Sequence, residues 1–191
     1  MYYVLDCDYP EDESGGYMDI DDGIEIDGVD SWSSGERFTV PIPSPILVNV
    51  VPEAGYTGLP NEMKDGNLLL MSDRLVSALR VAGVDNIDTY PTTLVNTETG
   101  QTYSYQAVNI IGLIAAADLE KSEWHSYDGD GVSDTTFESL TLKEDRARGA
   151  LLFRLAENTS TILVHEKVRD HILASGISTL KFIEPEDWVQ L

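Results

Sequence analysis

The chain has 191 residues, with 34 acidic side chains against 12 basic ones and a formal net charge of −22. That balance argues against binding nucleic acid, where phosphate recognition needs Lys and Arg, and against docking on anionic lipid. It leaves a basic protein partner, a cation or no partner. One cysteine, Cys7, excludes an intrachain disulfide and a cysteine-held zinc.

The length fits one domain able to bury roughly 70% of its unfolded surface. The charge is uneven: the first 36 residues hold twelve carboxylates and no Lys or Arg. Such a segment resists compaction by self-repulsion and attracts anything basic, unless it is only a solvated acidic face. The sequence divides into an acidic segment, 1–37, packed on or flanking a body over 38–191. The first residues have neither the positive region nor the apolar stretch of a signal peptide, and the apolar run from Ala107 to Ala117 is far short of a membrane helix. A soluble, cytoplasmic protein is expected.

In chain order, Tyr2–Leu5 reads as an opening strand. Residues 10–35 are rich in Asp, Gly and Ser, with one period-two patch at Gly23-Ile24-Glu25-Ile26-Asp27 that suits a strand. Tyr17, Met18, Ile20, Ile24, Ile26 and Trp32 supply apolar anchors for this segment. Pro41, Pro43 and Pro45 make residues 38–45 an extended edge or connector. The apolar run Ile46–Val51 predicts a buried strand, and Gly55, Gly58, Pro60 and Gly66 mark a loop. Ser72 is a helix N-cap, with Asp73 in the first turn, Leu75, Leu79 and Ala82 on one face, and Gly83 as the left-handed cap. An extended piece ends at Pro91, Thr97–Gly100 is a turn, and residues 102–113 are β-rich. Residues 118–133 form a second loop. Leu140–Glu144 and Ala150–Leu155 predict short strands. Thr161–Val164 leads into a helix over His165–Ser175 closed by Gly176, and Thr179–Ile183 is the last strand.

Two of these stretches match when slid by 93 residues. Asp73 falls on Glu166, Arg74 on Lys167, Leu75 on Val168, Leu79 on Ile172, Gly83 on Gly176, Val84 on Ile177 and Ile87 on Leu180. Two copies are too few for a solenoid. The expected fold is α+β, a mostly antiparallel sheet with two capped helices and two similar helix–strand units in one core.

Signatures of chemistry are sparse. Asp128-Gly129-Asp130-Gly131 resembles part of a calcium loop, yet numbering from Ser126 puts Phe137 at the twelfth position, where a bidentate Glu is required. A hydrophilic turn fits better, so no metal or cofactor is assigned. His165 and His171 are six apart, not the four needed to share a ligand, and His125 stands alone. There is no Gly-x-Ser-x-Gly elbow and no phosphate loop. Cys7 reads as a small buried residue at a strand end. These absences shift weight from enzyme to binding protein.

Part of the chain reads in a recognisable order. Leu70-Met71-Ser72-Asp73-Arg74-Leu75 precedes Asn86-Ile87-Asp88-Thr89-Tyr90-Pro91. Tyr105 with Val108–Gly112, Asp118 with Ser122, and Leu152–Glu157 follow. Ile162–Val168 and Gly176 before Phe182 complete the order. This ordered set resembles a family of bacterial immunity proteins from polymorphic toxin systems, the eleventh in that series and earlier a domain of unknown function. The resemblance covers residues 38–188 and leaves most of the acidic segment outside. It implies a non-enzymatic antidote that binds and occludes one cognate toxin, and it carries over no catalytic residues.

Toxins that attack nucleic acid are often basic, so an acidic face suits such a partner. The residues assigned to it are Asp19, Asp21, Asp22, Asp27 and Asp30, with Tyr17, Trp32 and Tyr56 as aromatic anchors. Each aromatic can equally pin a loop to the core. Two alternatives stay open: a DNA mimic or other acidic interaction module, and a carboxylate- or calcium-dependent enzyme using Asp128 or Asp130.

Overall fold

The computed structural model describes residues 1–7, 17–21, 23–53, 55–126, 129 and 135–189. The Asp128–Asp134 stretch therefore lies outside the described residues, Gly129 excepted. In chain order the strands are β1 (Tyr2–Cys7), β2 (Met18–Ile20), β3 (Ile46–Pro52), β4 (Met63–Lys64) and β5 (Leu70–Ser72), then helix α1 (Asp73–Ala82). They continue with β6 (Ile87–Asn96), β7 (Thr102–Ile110), β8 (Leu113–Ile114), β9 (Glu123–His125), β10 (Thr136–Ser139), β11 (Leu152–Leu155) and β12 (Ile162–His165). Helix α2 (Glu166–Ala174) and β13 (Leu180–Ile183) close the series.

Six strands form one sheet in the order β2-β3-β6-β7-β5-β4, and five form another in the order β13-β1-β12-β11-β8. β9 and β10 pair as a separate ribbon. Pairing is antiparallel except between β3 and β6 and between β8 and β11. This is the expected α+β class with mostly antiparallel sheet.

The two matched stretches follow the same path. In β5–α1–β6 the two strands run parallel and are separated by one antiparallel strand, β7. In β12–α2–β13 the separating strand is β1. The caps correspond as well. Ser72 Oγ accepts from the Leu75 amide at 3.0 Å, and His165 Nδ1 accepts from the Lys167 amide at 3.2 Å. Gly83 takes φ 103° and Gly176 takes φ 77°, left-handed values that a side chain resists. Arg74 Nη2 donates to Ser175 O at 2.7 Å, tying the start of α1 to the end of α2.

The helices are packed into one cluster between the sheets. Leu75 and Leu79 meet Val168 and Ile172, with Met71, Val108 and Ile110 from one sheet and Leu5, Ile162 and Val164 from the other. Burying each such side chain stabilises the fold by about 1.5–3 kcal/mol. β1 explains its own unbroken apolar run: Tyr3, Leu5 and Cys7 face this cluster, while Tyr2 and Val4 face a second one with Phe137, Phe153, Leu155 and Leu163. A third cluster lies between the six-stranded sheet and the segment that precedes β3.

Several sequence expectations change, among them the loop expected over residues 118–133, which holds β9. β3 is buried on one face only, since Ile46, Val48 and Val50 point inward while Leu47 is 65% exposed. Gly23–Asp27 alternates in burial but pairs with no strand among the described residues, and the strand of this segment is β2 instead. Pro91 lies inside β6. The Asn96 amide bonds to Gln101 on the β7 side, so alternation turns Pro91 the other way, and β3 joins β6 only from Thr92. No neighbour needs the missing N–H there. Finally, β10 precedes the expected Leu140–Glu144 strand, where only the Ala117–Leu142 bridge forms.

Candidate functional site

The acidic segment is fixed to the six-stranded sheet by backbone pairing at one end and by an aromatic cluster further along. β2 runs antiparallel to the second half of β3, with Asp21 N–H donating to Asn49 O at 3.0 Å and Glu53 N–H to Tyr17 O at 2.8 Å. The period of two puts Met18 and Ile20 into the core and leaves Tyr17, Asp19 and Asp21 exposed. At Gly23 the chain leaves the sheet, its amide donating to Asp21 Oδ1 at 3.1 Å.

Residues 24–27 then form an arm across the face. Ile24 and Ile26 lean on the core cluster, and Glu25 and Asp27 point outward. Val29 N–H donates to Ile26 O at 3.0 Å, closing a turn at Gly28, where φ is 78°. A Cβ on Gly28 would stand 2.9 Å from Val40 Cγ1, so the glycine permits the close approach.

Trp32 ends the arm. It is buried, and its indole stands edge-on to Phe38 at 4.7 Å and to Tyr90 at 5.6 Å between ring centroids. Further hydrogen bonds hold the return to the body: Gly112 N–H to Gly35 O at 2.8 Å, and Asn109 Nδ2 to Glu36 O at 2.7 Å. Arg37 Nη1 reaches both carboxylate oxygens of Asp88.

Of the residues assigned to a partner, Asp19, Asp21, Asp27 and Asp30 are exposed and held on this one segment, while Asp22 lies outside the described residues. Among the described residues no ion pair engages those four or Glu25. Tyr17 is exposed. Tyr56 is half-buried, its hydroxyl donating to Leu59 O at 3.2 Å. Trp32 is a core residue that pins the arm, so it offers no exposed anchor.

Two clefts flank residues 24–27. One, of about 540 Å³, lies between the arm, Trp32 and Gly66–Asn67. The other, of about 630 Å³, lies between the arm and the proline-rich connector, with Ile46 and Leu47 in its wall. Glu25 and Leu47 join the site although the sequence reading did not single them out. The alternation at Gly23–Asp27 is the signal for Glu25. Leu47 is hidden within an apolar run that looks wholly buried.

Elsewhere, Cys7 and Asp118 are tied into the fold. Burial pushes the Cys7 thiol up to about 11. Asp118, held by Lys143 at 3.0 Å, is lowered chiefly by that bond. Among the described residues no group of three or more His, Cys, Asp or Glu can hold a metal. No helix among them is long and apolar enough to cross a membrane.

The model of the Immunity protein family (Imm11) matches residues 11–187. The chain belongs to that family. The Imm11 match begins 27 residues before the resemblance drawn from the sequence at residue 38, so it takes in most of the acidic segment. The arm is thus within the family's matched span. No curated protein matches this immunity protein.

Proposed function

We propose that this Imm11 protein binds one cognate bacterial toxin and neutralises it by occlusion, without catalysis, and that its acidic arm attracts a basic surface of that toxin. Family membership supports the antidote role. The observation that carries the electrostatic part is the arm itself. Asp19, Asp21, Asp27 and Asp30 are exposed and free of internal ion pairs among the described residues, and the segment bearing them is fastened to a sheet.

A pinned charge acts differently from a charge on a loose tail. Its field has a fixed direction, so it orients an approaching cationic partner as well as drawing it in. In this reading the encounter surface lies in the acidic segment, 1–37, beyond β1, which is built into the sheet of the body, 38–191, and Tyr17 and Tyr56 add apolar contact at the rim. Asp22 belongs to the same set by its place in the sequence.

Co-expression tests the reading. A bacterial host producing the neighbouring toxin's C-terminal domain is expected to survive with this chain and to die without it, and the two proteins are expected to co-purify. Failure both to protect and to co-purify contradicts it. Competition by duplex DNA for many unrelated basic proteins, with no preference for the toxin, would favour a DNA mimic instead.

A further inference from the structure

We propose that the open edge of β3 at Ile46–Val48 accepts an extended, basic segment of the toxin as an added strand. This rests on the toxin-binding reading above and names the surface and the partner chemistry.

Backbone alternation locates the vacancy. Val51 faces Asp19 of β2, and Asn49 O accepts from Asp21 N–H, so the odd residues of β3 turn their amide and carbonyl groups toward β2. Val50 O accepts instead from Thr97 N–H on the opposite side, as alternation requires. Leu47 shares the parity of Asn49 and therefore turns its N–H and C=O toward β2's side. Continuing the register of Ile20 with Val50 and of Asp21 with Asn49 places Gly23 opposite Leu47. Gly23 has already left the sheet, its amide turned to the Asp21 carboxylate. About 10 Å of edge, three residues at the usual rise, has no neighbouring strand among the described residues.

The surroundings select an occupant. The edge opens into the 630 Å³ cleft between the arm and the connector. Pro41, Pro43 and Pro45 wall its far side and have no N–H to offer the edge. The Leu47 side chain, 65% exposed, gives an added strand an apolar contact. Proteins commonly guard exposed edges with lysine; here the charged residues on the cleft wall are Glu25 and Asp27. A strand bearing Lys or Arg finds its counter-ions there. A second copy of this chain does not, because each copy carries −22. Strand addition gives affinity through the main chain and specificity through alternate side chains.

The test uses the full chain and the neighbouring toxin's C-terminal domain. Hydrogen–deuterium exchange is expected to slow at the Leu47 amide and at residues 24–27 on complex formation. Leu47→Pro removes the outward amide together with the leucine side chain and is expected to weaken binding at least tenfold. Leu47→Ala, which keeps that amide, is expected to weaken it about threefold or less. The double variant Glu25→Gln, Asp27→Asn is expected to weaken binding and to flatten its salt dependence. Thermal midpoints check that each variant is folded; should Leu47→Pro unfold, the exchange result and the Glu25/Asp27 variant decide. A complex that forms with no protection at the Leu47 amide and binds Leu47→Pro as it binds the parent overturns the proposal and leaves the toxin-binding reading standing. No complex at all overturns both. Protection at the Leu47 amide that grows with concentration in the chain alone would assign the edge to self-association and also overturn the proposal.

Discussion

Cys7 closes β1 with its thiol buried, and desolvation raises it to about 11. At pH 8 about one thiol in a thousand is then ionised, far too little for ready nucleophilic attack. Ellman's reagent is expected to label it very slowly in the folded protein and at once in denaturant; rapid stoichiometric labelling of the native state would contradict this. Two carboxyls give opposite pH signatures. Glu157 is raised, chiefly by desolvation, against backbone N–H bonds and Arg146. The folded state therefore keeps this proton to higher pH than the unfolded chain, and stability falls as pH rises from the ordinary Glu value toward the raised one. Asp118 is lowered, so its contribution is present above the ordinary Asp value and is lost as pH falls through the lowered one. In urea midpoints from pH 3 to 7, Glu157→Gln is expected to gain on the parent as pH rises, and Asp118→Asn to gain on it as pH falls. Parallel curves for parent and variants would contradict both assignments. Ser72, Gly83 and Gly176 were legible from sequence because a cap is set by neighbours within a turn. Trp32 was legible only as either a core anchor or a partner contact, because its burial depends on Phe38 and Tyr90, and Tyr90 comes from a strand 58 residues on.

The repeated element is a strand, a helix and a strand wrapped around one antiparallel strand. Its helices and glycine caps were readable from the 93-residue match because helical period and capping are local. The separating strands were not. β1 pairs with Leu163 and Ile183 through Val4, and nothing near Val4 specifies partners so far along the chain. The same non-locality concealed the arm: the alternation at Gly23–Asp27 is real in burial, but the strand pairing falls at Met18–Ile20, where β3 happens to reach. Trp32 is the fastening of this element. Trp32→Ala removes a buried ring at the end of the arm and is expected to cost about 3 kcal/mol. Amide exchange is expected to quicken in residues 23–36 while α1 and α2 keep their protection. Unchanged exchange in the arm would show that the ring does not hold it.

At the scale of the whole molecule, a charge of −22 on 191 residues opposes compaction and steers association. Part of that charge is exposed on a segment that the fold fastens beside an open strand edge. Composition made the sign and the concentration legible. It could not reveal that the segment is fastened to a sheet, which comes from β2 pairing and aromatic packing, nor that the family match runs through it from residue 11. The central claim is that these carboxylates accelerate capture of a basic toxin. Stopped-flow association with the neighbouring toxin's C-terminal domain tests it most directly, comparing the parent with a variant carrying Asp19, Asp21, Asp22, Asp27 and Asp30 all changed to Asn. At low salt the variant is expected to associate on the order of tenfold more slowly, with a shallower salt dependence and a nearly unchanged dissociation rate. Equal association rates with equal salt dependence would contradict the claim.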